Sequence, residues 1–148
     1  MDRRKLIVST LAAAGASSLA AAAAEEHSAR PVAMRVVYHL ADLEKVAFVL
    51  GNIRNHLDGV AGAYSLTIAV VVHGPALHAF RRAADNIAVT MPVAVLTQAG
   101  VAFHACGNTL KGMKMTGDDL LPGFDVVTQG GVVRLAELQA QGWVYLRP

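Results

Sequence analysis

The run Ser65 to Val72 reads Ser-Leu-Thr-Ile-Ala-Val-Val-Val and constrains the fold more than any other stretch. It is nearly unbroken in apolar, mostly β-branched residues. Its length suits a strand, and a strand apolar on both sides must be covered on both sides. That requirement places it at the centre of a parallel sheet with helices above and below. His73, Gly74 and Pro75 end it.

The remaining chain supplies partners of the right kind. Met34–Leu40 reads as a first strand, Val101–Ala105 as a third, Asp125–Thr128 as a fourth and Trp143–Leu146 as the last. Between them, Leu43, Val46, Ala47, Val49, Leu50, Ile53 and Leu57 recur at helical spacing. Asp42 stands where it would cap that helix, with Lys45 at the position a capping box gives to Glu or Gln. A second helix is expected over Ala76–Asn86. A third is expected from Pro92, a residue suited to a first turn, to a C-cap at Gly100. A short helix follows Cys106 as far as Met113, and an amphipathic one covers Val132–Gln141. The expected fold is α/β: five strands joined by crossovers that favour a parallel sheet, with helices on both faces.

The first residues read as an address. Arg3, Arg4 and Lys5 precede a mild apolar stretch from Leu6 to about Ala20, and small residues to Ala24 offer cleavage sites. The Arg pair resembles a twin-arginine signal, with an ordinary secretory signal as the alternative. The stretch is too rich in Ala and Ser to read as a membrane span. The expected layout is a signal over 1–24, a loose leader over 25–33 and one domain over 34–148, exported to the periplasm or an equivalent compartment, with no stable membrane insertion after cleavage. The signal also explains the charge. Removing Asp2, Arg3, Arg4 and Lys5 from 13 basic and 11 acidic residues leaves ten of each. No basic patch remains to argue for nucleic acid.

Ligands of an open parallel sheet bind beyond the carboxyl ends of its strands. The polar residues there are Tyr38, His39 and Asp42, then His73 and Gly74, then Cys106, Gly107 and Asn108, then Gln129, Gly130 and Gly131. Cys106 is the chain's single cysteine. It cannot form an internal disulfide, and it follows a strand and precedes a helix start. Backbone N–H groups and a helix dipole at such a place favour the thiolate; the plainer reading is a buried thiol acting as a small hydrophobe. An imidazole of His39 or His73 near Cys106 would suit thiol chemistry. The same three residues would also suit a soft or borderline metal, the basis of an alternative reading as a metal- or small-ligand-binding protein. In the blandest reading both histidines only fix loops. His104 alternates with Cys106 along the strand and either shares its face or lies satisfied under a helix. His56 and His78 read as surface residues. The glycines form no dinucleotide fingerprint, so no nucleotide cofactor is expected. Without a second cysteine, a disulfide oxidoreductase is disfavoured, and a lone thiol suits carrying one sulfur atom as a persulfide.

Five segments together resemble a known family. They are Tyr38–Leu40, Val71–Gly74, Val101–Leu110 with its Cys106-x-x-Thr109-Leu110 core, Val126–Gly131, and Leu138–Pro148 with Gly142, Trp143, Tyr145 and Pro148. The chain is similar here to the DsrE family, of DsrE/F-like or YchN-like fold. The resemblance covers about Met34 to Pro148. It implies a three-layer α/β/α sandwich on a five-stranded, mainly parallel sheet, assembled as a homotrimer or hexamer. It further implies transfer of persulfide sulfur on the cysteine matched by Cys106, and hence a sulfur-donor or acceptor protein as partner.

Overall fold

The computed structural model describes residues 33–60 and 62–148, and the expected signal and most of the leader lie outside this range. Five strands form one sheet: β1 (Ala33–Leu40), β2 (Ser65–Val72), β3 (Ala102–Cys106), β4 (Phe124–Val127) and β5 (Val144–Leu146). Their order is β4-β3-β2-β1-β5, and every pairing is parallel. The Ser65–Val72 run is the central strand, as its composition demands.

Among the described residues, four α-helices accompany the sheet: α1 (Val46–Gly59), α2 (Ile87–Gln98), α3 (Gly107–Gly112) and α4 (Gly131–Ala140). The path from β1 through β2 and β3 to β4 steps in one direction. Right-handed crossovers therefore put α1, α2 and α3 on one face. The last connection returns from β4 across the sheet to β5, and the same handedness places α4 on the opposite face.

Side chains alternate along each strand, so each face has its own core. Val36, Tyr38 and Leu40 of β1 join Ile68, Val70 and Val72 of β2 and Phe103 and Ala105 of β3 beneath α1 and α2. This cluster holds 23 buried residues, whereas Val37, Ala69, Val71, Leu135 and Leu138 make up the core under α4. At about 1.5–3 kcal/mol per buried aliphatic side chain, the α1/α2 face supplies most of the stability. The α4 face is thin, and it carries the polar residues.

Three local expectations are corrected. The segment expected as a helix over Ala76–Asn86 is two 3₁₀ turns, Gly74–Phe80 and Arg82–Ala84. Arg81 is extended between them and bridges to Leu120, and Leu121 N–H donates to the Phe80 carbonyl at 2.8 Å. Tertiary hydrogen bonds there replace an α-helical ladder. Helix α2 starts at Ile87, five residues before Pro92, because Asn86 caps it by accepting from Ala88 N–H at 3.1 Å. Pro92 is inside the helix and forgoes one ladder bond. The expected end does hold Gly100: its φ is +89°, its N–H reaches the Thr97 carbonyl and that of Val101 reaches Leu96, a Schellman closure. Asp42 makes no side-chain cap; its carboxylate is turned to Arg147 at 3.4 Å.

Candidate functional site

Cys106 is the last residue of β3, and His73 follows the last residue of β2. His39 is two residues beyond Val37 on β1, and His73 is two beyond Val71 on β2. Both valines belong to the core under α4, so strand alternation sends both histidines to that face. Cys106 reaches it too, beneath the start of α4. All three stand at the carboxyl end of the sheet, where the sequence places them.

The beginning of α4 seats directly on this row. A Cβ built at Gly131 would fall 3.3 Å from Cys106 Cβ and 3.4 Å from His73 Cβ. A side chain there would fit only if these neighbours gave by a few tenths of an ångström. Gly130, at φ +104°, makes the turn into the helix, and a Cβ there would meet Asn108 Nδ2 at 2.7 Å. Gly107 allows another close approach, since its Cβ would sit 2.9 Å from the Val127 carbonyl oxygen. Gly107, Asn108 and Gly130 are thus the scaffold that presses two helix N-termini toward one sulfur. An open cleft of about 400 Å³ passes Gly107 and Asn108 and reaches Val126 and Thr128.

Cys106 is a free thiol with 6% of its surface exposed. Burial pushes its pKa up. Thr109 Oγ1–H and the N–H groups of Gly131, Thr109 and Asn108 oppose that and hold it below the ordinary thiol value. No full capping hydrogen bond to Sγ is made within α3, so the effect comes from several dipoles ringed around the sulfur. Thr109 is itself held in place: its Oγ1 accepts the Gly74 N–H at 3.1 Å. Gly74 takes φ +57° to present that N–H.

Beside the thiol, His39 Nε2 and His73 Nε2 are 2.6 Å apart, with rings 4.8 Å between centroids and 26° between planes. One nitrogen must donate and the other accept, so the neutral pair holds one proton between the rings. His39 Nδ1 is 2.6 Å from the Tyr145 hydroxyl. Both imidazoles are biased toward the neutral form. His39 is lowered to about 4, first by burial, then by repulsion from His73 and Arg147, with Asp42 partly offsetting. His73 is lowered by burial and by Arg147, again against Asp42. Their hydrogen bonds run to each other and to Tyr145, while the thiol's donors are backbone N–H groups and a hydroxyl. Among the described residues no three His, Cys, Asp or Glu side chains converge as a metal-binding group.

Other expected site residues are elsewhere. Tyr38 belongs to the α1/α2 core, 3% exposed, because it alternates with His39. Its hydroxyl bonds to His56 Nδ1 at 2.9 Å, and burial raises its pKa. His56 is therefore not merely a surface residue. Gln129 is exposed and turned along α4, its Nε2 3.4 Å from Glu137. Asp42 stays at the edge of the site through Arg147. His104 shares the face with Cys106, and it is not a satisfied histidine: its Nδ1 is buried and unpartnered. Burial and Arg134 lower its pKa against Asp125.

Gly131 stands at the strand end where the sequence places it, whereas Thr109, Tyr145 and Arg147 are site residues that the strand-end reading misses. Thr109 had a signal, three residues past Cys106 at a helix start. Tyr145 belongs to the C-terminal segment of the family resemblance, but no local pattern places it at the site, because it reaches the site only through the β1–β5 pairing that sets it opposite Val37.

Comparisons agree with this architecture. The model of the DsrE/DsrF-like family matches residues 16–148. A solved structure titled a protein of unknown function, MTH1491 from Methanobacterium thermoautotrophicum, is 39% identical with a TM-score of 0.68. The match covers 78% of this chain and 99% of that one. No curated protein matches the chain. With the family model spanning nearly the whole sequence and the five-stranded parallel fold in place, this chain belongs to the DsrE/DsrF-like family.

Proposed function

We propose that the protein is a single-thiol sulfur carrier that holds one sulfur atom on Cys106 as a persulfide and passes it to a partner. The observation that carries this reading is the convergence of the α4 N-terminus and the α3 turn on one buried sulfur. Thr109 Oγ1–H and the N–H groups of Gly131, Thr109 and Asn108 lower its pKa against the effect of burial. A thiolate held by such donors attacks sulfane sulfur readily, and the same donors stabilise the persulfide anion that forms. With one cysteine and no resolving thiol, the chemistry ends at the persulfide until an acceptor arrives. The role is that of a carrier working with a donor and an acceptor, and membership in a family associated with sulfur metabolism supports it. The Arg3–Arg4 start further suggests an exported carrier, and the resemblance suggests a homo-oligomer.

The test is intact-mass analysis after exposure to a low-molecular-weight persulfide. The expected result is a gain of one sulfur at Cys106 that is absent in Cys106→Ser. A folded protein whose Cys106 resists both sulfur donors and alkylating reagents would sink the reading.

A further inference from the structure

Three side chains from three places in the sheet are joined in line at its carboxyl edge. Tyr145 OH of β5 is 2.6 Å from His39 Nδ1 of β1, and His39 Nε2 is 2.6 Å from His73 Nε2 at the end of β2. Loop fixing alone would be served by histidines bonded to backbone, yet these ring nitrogens bond to side chains that each donate and accept. Tyr145 opens to solvent at 37% exposure. At the other end, His73 Nδ1 has no protein partner among the described residues and is not sealed from solvent. His73 is also the member of the row next to the cysteine, since its Cβ and Cys106 Cβ would both lie within 3.4 Å of a Cβ built at Gly131.

We propose that Tyr145, His39 and His73 form a shared-proton relay from solvent to the His73 imidazole next to Cys106, supplying and recovering the proton of sulfur transfer. The role rests on the carrier reading. In loading, Cys106 thiolate attacks the outer sulfur of a low-molecular-weight persulfide, R–S–SH. The Sγ–S bond forms and the donor's S–S bond breaks. Its electron pair leaves on R–S⁻, which needs a proton, and no outside oxidant is consumed. His73 Nδ1–H gives that proton. His73 Nε2 takes one from His39 Nε2, His39 Nδ1 takes one from the Tyr145 hydroxyl, and Tyr145 is reprotonated from water. Both rings end neutral in the opposite tautomer. In unloading, an acceptor thiol must lose a proton to attack the Cys106 persulfide. His73 Nδ1 accepts it, and the relay runs backward to its first state. A neutral pair is required, because a doubly protonated pair could not accept, and burial with mutual repulsion favours neutrality.

The relay predicts a contrast between two reactions of Cys106. Alkylation by iodoacetamide expels iodide and needs no proton, whereas transfer from glutathione persulfide expels a thiolate that does. Tyr145→Phe is expected to slow transfer about tenfold, a share of the usual acid–base contribution, with no comparable fall in alkylation. His73→Gln, which removes the last donor, is expected to slow it about a hundredfold. Tyr38→Phe, on the opposite face, is the control for both reactions. Nitrogen-15 shifts of the imidazoles give an independent readout. Tyr145→Phe should change the tautomer balance of His73 as well as His39, although Tyr145 bonds only to His39. Equal loss in transfer and alkylation, or a His73 tautomer indifferent to Tyr145, would overturn the relay. If wild-type Cys106 took up no sulfur while the tautomers remained coupled, the hydrogen-bonded chain would stand, and its role in sulfur transfer would fall with the carrier reading.

Discussion

Gly131 lies so close to Cys106 that a methyl group on it would touch the cysteine's Cβ at 3.3 Å. The same methyl would stand 3.4 Å from His73 Cβ and from Val71 Cγ1. Three neighbours on two rigid strands leave little room to give. Gly131→Ala should therefore lift the start of α4 and withdraw its N–H from the sulfur. A loss of about 1–3 kcal/mol is expected from overpacking. The alkylation rate of Cys106 should fall near neutral pH, and its pH midpoint should move up. Unchanged alkylation in a variant that melts lower would show that α4 does not activate the thiol.

Tyr38 and His39 are adjacent in sequence and serve different faces. Tyr38→Phe removes the hydroxyl that meets His56 Nδ1 at 2.9 Å in the α1/α2 core. The expected cost is about 1 kcal/mol, the ordinary net value of one hydrogen bond. Cys106 alkylation should not change. Chemical denaturation and an alkylation time course on the same sample check both halves, and a change in thiol reactivity would contradict the division of faces.

This division marks where sequence reasoning succeeds and stops. The apolar run of β2 specifies a central strand, and the alternation around it specifies a parallel sheet, so the carboxyl edge was legible together with Cys106, His39 and His73. Tyr38 was assigned to the site by proximity along the chain, although the period of two sends it to the opposite face. Pro92 suits a first turn, but the Asn86 cap starts α2 five residues earlier. Tyr145 and Arg147 depend on which strand pairs with β1. That pairing follows from the handed return of the chain over α4, which no local pattern records.

The neutral bias of the histidine pair has a consequence for stability against pH. His39 is lowered from 6.5 to about 4 in the folded protein. Between those values the unfolded chain binds more protons, so folding stability rises with pH across the window. The contribution is complete above about 6.5 and lost as pH falls through about 4. Because the ring is partly exposed and screened, the expected effect is on the order of 1–2 kcal/mol. His73 is shifted in the same direction and adds to it. Urea midpoints between pH 4 and 7 should climb in the wild type and flatten in His39→Gln. A variant with the wild-type slope would place the acid sensitivity elsewhere, His104 being the next candidate.

Thr109 offers the sharpest test of how the thiol is activated. Its Oγ1 accepts the Gly74 N–H at 3.1 Å, and the same hydroxyl helps to hold the Cys106 pKa down. Thr109→Val keeps the shape and removes both interactions. The Gly74 N–H, part-buried, then lacks its partner, at a cost of about 1 kcal/mol. Losing a hydrogen bond to the thiolate raises the Cys106 pKa, so the pH profile of alkylation should shift upward. Thr109→Ser restores the hydroxyl and should return the profile to the wild-type position, whatever small packing loss accompanies the missing methyl. A profile that moves only in Thr109→Val assigns the activation to the hydroxyl, and a profile that stays at the wild-type position in Thr109→Val would show that the hydroxyl does not activate the thiol.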